Sequence, residues 1–271
     1  MFTQVVLYSP DRAVQLGRSV ECWNDCEGYK DAQKILCVDG TPNVHPEGWD
    51  VIEIPRRDGF FCWADAINTG VNLSVNSTVF YCDSDRVLPT DYFVRVVKIV
   101  AEQPRAFVYP KYLYSVQQDA NAEVLRAMRD NIDLFQAVLR PDHRQKNPLV
   151  LSCKNPMSGC VAFSKDVFQG LGGFDPRFVG WGYPDYDFLM TATRARIPFV
   201  ETLDKELHQQ HPYAIGLRNV ELHNLYNLRQ YLEKWGLSLN SLQGTSVRLG
   251  VTREALLGAK SLKEFMASVS S

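Results

Sequence analysis

Apolar residues in the first hundred positions fall into four short runs separated by stretches of helical spacing. Gln4–Tyr8 reads as a strand that ends in the polar turn Ser9, Pro10, Asp11, Arg12, after which Ala13, Leu16 and Val20 mark a helix. Lys34–Val38 is a second strand, stopped by Asp39 and Gly40, and Trp49–Ile54 is a third. Phe61–Val75 returns to helical spacing, and Thr78–Cys82 is a fourth strand running into Asp83, Ser84 and Asp85. Strands alternating with helices predict an α/β fold, a mostly parallel sheet with helices on its faces. In such sheets the ligand crevice lies beyond the carboxyl ends of the strands. Those ends carry Ser9, Asp11, Asp39, Asp83 and Asp85, so four acids gather where a ligand is expected.

The second half is less regular. Arg105–Leu113 reads as a strand, Ala120–Arg140 as a long helix and Met157–Ser164 as another strand, followed by a short helix Lys165–Leu171 and a turn at Gly172 and Gly173. A helix is expected over Asp185–Arg194 and a strand over Ile197–Thr202, with His208 and His211 in a polar stretch after it. Leu222, Leu225, Leu228 and Leu232 give Glu221–Trp235 an amphipathic helical face. Ser261 and Glu264 have the spacing of a capping box that opens a last helix. Without an internal repeat or a Pro/Ser-rich linker, one domain with C-terminal helical trimming is expected.

Composition narrows the function classes. The 271 residues are 45% hydrophobic and 22% charged, with 29 basic against 31 acidic residues and a formal charge of −2. That balance gives no support to nonspecific nucleic-acid binding through a large basic surface, although it leaves a local groove open. Arg140, His143, Arg144 and Lys146 form one such basic loop, readable either as a solvated loop or as a contact for an anionic acceptor. No run approaches the roughly 18 apolar residues of a membrane span, and the N-terminus lacks the features of a signal peptide, so a cytoplasmic protein is expected. The seven cysteines are odd in number and widely spread, the usage of a reducing compartment. Cys22 and Cys26 have no second pair to complete a metal site, which favours structural thiols.

Three constellations could carry chemistry. Asp83 and Asp85, at i and i+2 on an extended strand end, point the same way and can share a hard divalent cation; the competing reading is a pair of solvated turn acids. Gly172, Gly173, Gly180 and Gly182 punctuate a run that presents Trp181 beside Asp185 and Asp187. An indole face stacks on a sugar ring, and a carboxylate in a desolvated cleft can act as a general base. The alternative there, an N-capping aspartate, suits Asp187 better than Asp185. Two histidines three apart, His208 and His211, lack the partners of a self-contained zinc site.

Taken in order, these motifs resemble the nucleotide-sugar glycosyltransferases of the GT-A (Rossmann-like) fold, more narrowly the family 2 members with a galactosyltransferase-type C-terminal motif. The resemblance spans about residues 3 to 230 and rests on the ordered set: the Asp11, Arg12 turn, the strand ending at Asp39, Asn68 and Gly70 on a helix, Asp83 and Asp85, the Gly172–Asp175 turn, Gly180–Gly182 with Asp185, and a late histidine. It implies that Ser9, Asp11 and Arg12 lie near the nucleoside and that Asp39 hydrogen-bonds the base, which favours a UDP-sugar. It implies that Asn68 packs beside the nucleotide, that Asp83 and Ser84 sit on its ribose side, and that Asp85 ligates Mn²⁺ or Mg²⁺ with His208, His211 being the reserve and Asp83 a further candidate. Asp185 falls at the catalytic base of inverting members, with Trp181, Gly182 and Asp187 toward the acceptor.

The resemblance further implies a GT-A domain over residues 1–235, with a nucleotide-binding half (1–100), an acceptor half (101–235) and a helical extension (236–271). The chain departs from the family in placing Pro184 before Asp185, where members often carry a second acid, and in lacking the Gln-x-x-Arg-Trp signature of processive synthases. The expected activity is the metal-dependent, inverting, non-processive transfer of one sugar to an acceptor hydroxyl. That acceptor could be a glycan, a lipid-linked sugar, a protein or a modified nucleic-acid base, with no integral membrane contact. A loop from Pro212 to Asn219, including Arg218, is expected to close over the donor. Two alternatives stand: a nucleotidyltransferase of related fold, which would carry a Gly-rich basic loop after the first strand, and an inactive sugar- or nucleotide-binding protein that kept the fold.

Overall fold

A computed structural model describes residues 1–116, 119–131, 156–157, 159–211 and 216–269. Among the described residues, eight strands form one mixed sheet. Its parallel half consists of β1 (Thr3–Tyr8), β2 (Gln33–Asp39), β3 (Asp50–Ile54) and β4 (Thr78–Asp83). Beyond β4 the sheet continues antiparallel through β7 (Cys160–Ser164) to β6 (Phe107–Val116), which pairs in parallel with β8 (Phe199–Gln209). A two-residue strand, β5 (Arg86–Val87), closes the far edge against β8.

The continuous apolar runs of the parallel strands follow from burial on both faces. Along β1, Val5 and Leu7 enter one core while Val6 and Tyr8 enter the other; β2 divides Ile35 and Cys37 from Leu36 and Val38 in the same way. Helix α2 (Trp63–Leu73) covers the first face and α1 (Ala13–Trp23) and α3 (Tyr92–Glu102) the second. Gly70 lets α2 approach closely, since a Cβ there would lie 2.3 Å from Val5 Cγ1 and 3.2 Å from Cys37 Sγ. Further along the chain come α4 (Ala122–Asp130), α5 (Lys165–Gly170), α6 (Pro184–Arg194) and α7 (Leu217–Trp235). Leu222, Leu225 and Leu232 of α7 build a third core with the C-terminal helices α8 (Leu242–Leu249), α9 (Arg253–Gly258) and α10 (Leu262–Val269).

The single α/β domain and mostly parallel sheet agree with the sequence. Of the long helix expected over Ala120–Arg140, the described part is α4; its remainder, and the basic loop Arg140–Lys146, lie outside the described residues. The strand expected to stop at Thr202 runs on to Gln209, so His208 belongs to β8 rather than to a loop after it. The reason is an extra residue: Pro110 pairs with Thr202 but Tyr112 with Lys205. Such a bulge breaks the period-two alternation by which a strand is recognised. At α10 the capping box forms, Ser261 Oγ accepting from the Glu264 N–H at 3.2 Å, although Glu264 reaches back to the N–H of Lys260.

Candidate active site

Asp85 occupies the short link between β4 and β5, and backbone pairing fixes that link on both sides. The Asp83 N–H donates to Gly159 O at 2.9 Å and the Gln209 N–H to Asp85 O at 3.0 Å. Register places Arg86 opposite His208. Asp85 is therefore held beside the end of β8, and its Oδ2 lies 3.5 Å from His208 Nε2 and 3.1 Å from His211 Nε2. Among the described residues these three form a group whose possible ligand atoms all lie within 4.8 Å of one another. One carboxylate and two imidazoles make a mixed oxygen and nitrogen donor set, which fits Mn²⁺ better than the oxygen-preferring Mg²⁺.

The group rests on a buried ionic floor. Arg86 donates through Nη2 to Asp83 Oδ2 at 3.1 Å, while its Nε and Nη1 lie 3.0 Å from Asp85 Oδ1 and 3.1 Å from Glu206 Oε1. Gly159 makes room for it: a Cβ there would come within 3.2 Å of both the guanidinium and Glu206. Asp83 also accepts from the Tyr81 hydroxyl at 2.5 Å, which in turn accepts from Trp63 Nε1 at 3.1 Å. Burial pushes the Asp85 carboxyl up, but His208 and Arg86, with hydrogen bonds from both histidines, overcome that and hold it well below the usual range. Asp85 is thus an anion although it is buried, the protonation state a cation requires.

The rest of the site lies around this group. Arg12 donates through Nη1 to Asp85 Oδ2 at 3.1 Å, and its guanidinium carbon sits 5.6 Å over the Trp181 ring. The indole itself is 39% exposed. Asn227 on α7 fixes the loop that carries it, donating to the carbonyls of Val179, Trp181 and Gly182 at 3.0, 2.9 and 3.0 Å. Asp185 follows in the first turn of α6, partly exposed between Tyr183 and Tyr186. Both tyrosine hydroxyls are raised, first by burial and then by the charges around them, Asp185 included. At the same carboxyl end of the parallel strands, two strands away on β2, Asp39 is gripped by Arg56 through two hydrogen bonds of 2.6 and 3.1 Å. Ser84 is buried, and Ser9 accepts the turn bond from the Arg12 N–H at 2.9 Å, leaving Asp11 exposed.

Two expected ligand contacts have other partners. The Asn68 amide clamps the turn after α5, donating to Phe174 O at 2.8 Å and accepting from its N–H at 2.9 Å. Asp187 is buried and held by Lys234 Nζ at 2.7 Å and Trp235 Nε1 at 2.9 Å, so it anchors α6 to α7. Sequence reasoning missed Arg86 and Glu206 altogether. The one signal for Arg86 was its place directly after the acidic pair. Cys22 and Cys26 are buried with thiols pushed up to about 11 and about 12 by desolvation, as structural thiols are. No helix among the described residues is long and apolar enough to cross a membrane.

Solved structures with the same fold include GalNAc-T7 with UDP, GalNAc and Mn²⁺, at TM-score 0.60 and 12% identity, matching 100% of this chain and 56% of that one. They also include Staphylococcus aureus TarS 1–349 in complex with UDP (TM-score 0.53, 10% identity, 92% of this chain and 70% of that one) and TarS 1–349 alone (TM-score 0.52, 9% identity, 85% and 65%). The chain thus spans 56% of the length of the GalNAc-T7 structure and 65–70% of the two TarS 1–349 structures. No curated protein matches it. The model of the family described as glycosyltransferase like family 2 matches residues 51–242, the larger part of the sequence. On that match, and in keeping with the GT-A fold, the chain belongs to the family described as glycosyltransferase like family 2.

Proposed function

We propose that the protein transfers a single sugar from a nucleoside-diphosphate sugar, UDP-linked by preference, to an acceptor hydroxyl, with inversion and without processivity. The observation that carries this reading is the convergence of Asp85, His208 and His211 at the strand ends, joined through Arg12 to Trp181 in the loop that leads to Asp185. Asp85 and the two histidines would hold Mn²⁺, which supplies Lewis-acid stabilisation of the departing diphosphate. Asp39, oriented by Arg56, would accept a hydrogen bond from the base, and Ser9, Asp11, Asp83 and Ser84 would line the nucleoside and ribose. Residues 1–100 would then bind the donor and 101–235 the acceptor, with 236–271 as a helical extension.

On the acceptor side, Trp181 offers a stacking face and Asp185 takes the proton from the attacking hydroxyl. Attack comes from the side opposite the diphosphate, so the anomeric configuration inverts. Closing the cleft excludes water, which would otherwise hydrolyse the donor. Arg218, at the start of α7, would join that closure; residues 212–215 of the expected loop lie outside the described residues. The test is a screen of nucleotide sugars with Mn²⁺, read by binding and by product mass. Asp85→Ala should lose Mn²⁺-dependent UDP binding, and Asp185→Asn should keep it while losing transfer. Near-normal transfer by either purified variant would refute the assignment.

A further inference from the structure

Three nitrogen atoms crowd one oxygen of Asp85. Arg12 Nη1 and His211 Nε2 each lie 3.1 Å from Oδ2, and His208 Nε2 lies 3.5 Å away. A carboxylate oxygen offers two lone pairs, so three donors on it already exceed its capacity. The other oxygen, Oδ1, faces the buried Arg86 Nε at 3.0 Å and is itself shut off from the cleft by burial. A divalent cation ligated by Asp85 must therefore use Oδ2, the atom that Arg12 occupies. Two positive groups on one oxygen repel at short range in a buried setting, where screening is weak.

Arg12 also has somewhere to go. Its side chain is 14% exposed and ends the three-residue helical turn Pro10–Arg12 after β1, whereas Arg86 is fixed among three acids. Its guanidinium already rides on the partly exposed face of Trp181. A cation that swings off Asp85 along that face keeps its aromatic contact and becomes available to an anionic donor.

We propose that Arg12 is an internal competitor for the metal site: its guanidinium and the divalent cation exclude one another on Asp85 Oδ2. In the nucleotide-free protein Arg12 bridges the metal ligand Asp85 to the acceptor-side Trp181, and cation binding requires that bridge to open. The inference rests on the metal-dependent reading above and adds a residue that lowers, rather than provides, affinity for the cation. A role for Arg12 as a plain structural strut would predict the opposite sign.

The experiment is a titration of the full-length protein with Mn²⁺ alone, free Mn²⁺ being counted by its electron paramagnetic resonance signal. Arg12→Gln and Arg12→Met, the second keeping the apolar stem against Trp181, should each bind Mn²⁺ about tenfold more tightly than the parent, as removal of one hydrogen bond to a charged group implies. Arg56→Gln removes a positive charge from the same end of the sheet but from Asp39, and should change the affinity less than about twofold. Equal or weaker binding by both Arg12 variants overturns the proposal, as does an equal gain in Arg56→Gln, which would make the effect one of overall charge. Asp85→Asn separates the two levels. Undiminished Mn²⁺ binding there sinks the metal site itself, whereas lost binding there with no gain at Arg12 sinks only the competition.

Discussion

Gly182 links the platform Trp181 to the helix that carries Asp185, and its backbone has φ +86°, a left-handed conformation that L side chains rarely adopt. A Cβ at this position would lie 1.7 Å from Asn224 Oδ1 and 2.8 Å from Asn224 Cγ. Gly182→Ala therefore meets two obstacles. The left-handed backbone costs about 1–2 kcal/mol, and forcing Asn224 aside costs about 1–3 kcal/mol more. Restricting the unfolded chain returns about 0.4–1 kcal/mol, so the net loss is about 1–4.6 kcal/mol. Asn224 is a flexible side chain, so its share can be removed separately. Asn224→Ala in the Gly182→Ala background should recover about 1–2 kcal/mol and leave the backbone share. Urea unfolding midpoints of the four proteins in this cycle read both shares. The reasoning is refuted if Gly182→Ala unfolds with the parent, or if the double variant recovers nothing.

Asn227 donates to three carbonyls of the loop that holds Trp181; Asn227→Leu strands them and should cost about 3 kcal/mol in urea unfolding, and a loss below about 1 kcal/mol would show that the loop is held otherwise. Burial pushes His223 down to about 4 from 6.5, so the folded protein leaves it neutral where the unfolded chain protonates it. Stability should therefore fall as pH drops from about 6.5 toward about 4, by about 3 kcal/mol from this one group, and His223→Gln should flatten that limb of the urea-midpoint profile. An unchanged acid limb would contradict the assignment. From the mixed donor set of Asp85, His208 and His211, UDP should bind more tightly in Mn²⁺ than in Mg²⁺ by calorimetry, and chelation should abolish the difference. Equal affinity in both ions would count against histidine ligation.

What the sequence made legible tracks how local each signal is. The parallel strands were readable because burial on both faces writes unbroken apolar runs, and Asp83 and Asp85 were readable because they terminate one of them. His208 and His211 were recognisable as ligand types, but the strand that delivers His208 was hidden by the bulge near Thr202 and by polar neighbours such as Asp204 and Lys205. Glu206 disappeared into the same polar stretch although it is fully buried. Arg86 gives no local sign of its role beyond its place after the acidic pair, because one of its acids lies 120 positions downstream. Asn68 and Asp187 were given ligand roles for a related reason. Each sits in a motif, yet its hydrogen bonds go to Phe174 on one hand and to Lys234 and Trp235 on the other, partners that only the folded chain brings within reach.

The ionic floor explains why such distant residues had to meet. Asp83, Asp85 and Glu206 set three carboxylates around Arg86, and burying that many charges is unfavourable unless each is paired. Apolar residues of the same volume would serve stability at least as well, so stability alone gives no reason for the cluster. A ligating carboxylate has a different requirement: it must stay ionised and keep one oxygen directed at the cation, as supporting hydrogen bonds and ion pairs around metal sites commonly ensure. Arg86 meets it from behind by engaging Oδ1, and Glu206 and Asp83 keep Arg86 from turning. Oδ2 is thereby left toward the cleft, where Arg12 and the histidines reach it. With Arg12 and Arg86 against three carboxylates the cluster retains one uncompensated negative charge, whereas a divalent cation in place of Arg12 neutralises the cluster and frees the Arg12 guanidinium beside it. A diphosphate is attracted to the second state and repelled by the first, so one binding event at Asp85 decides whether the strand ends can accept a donor.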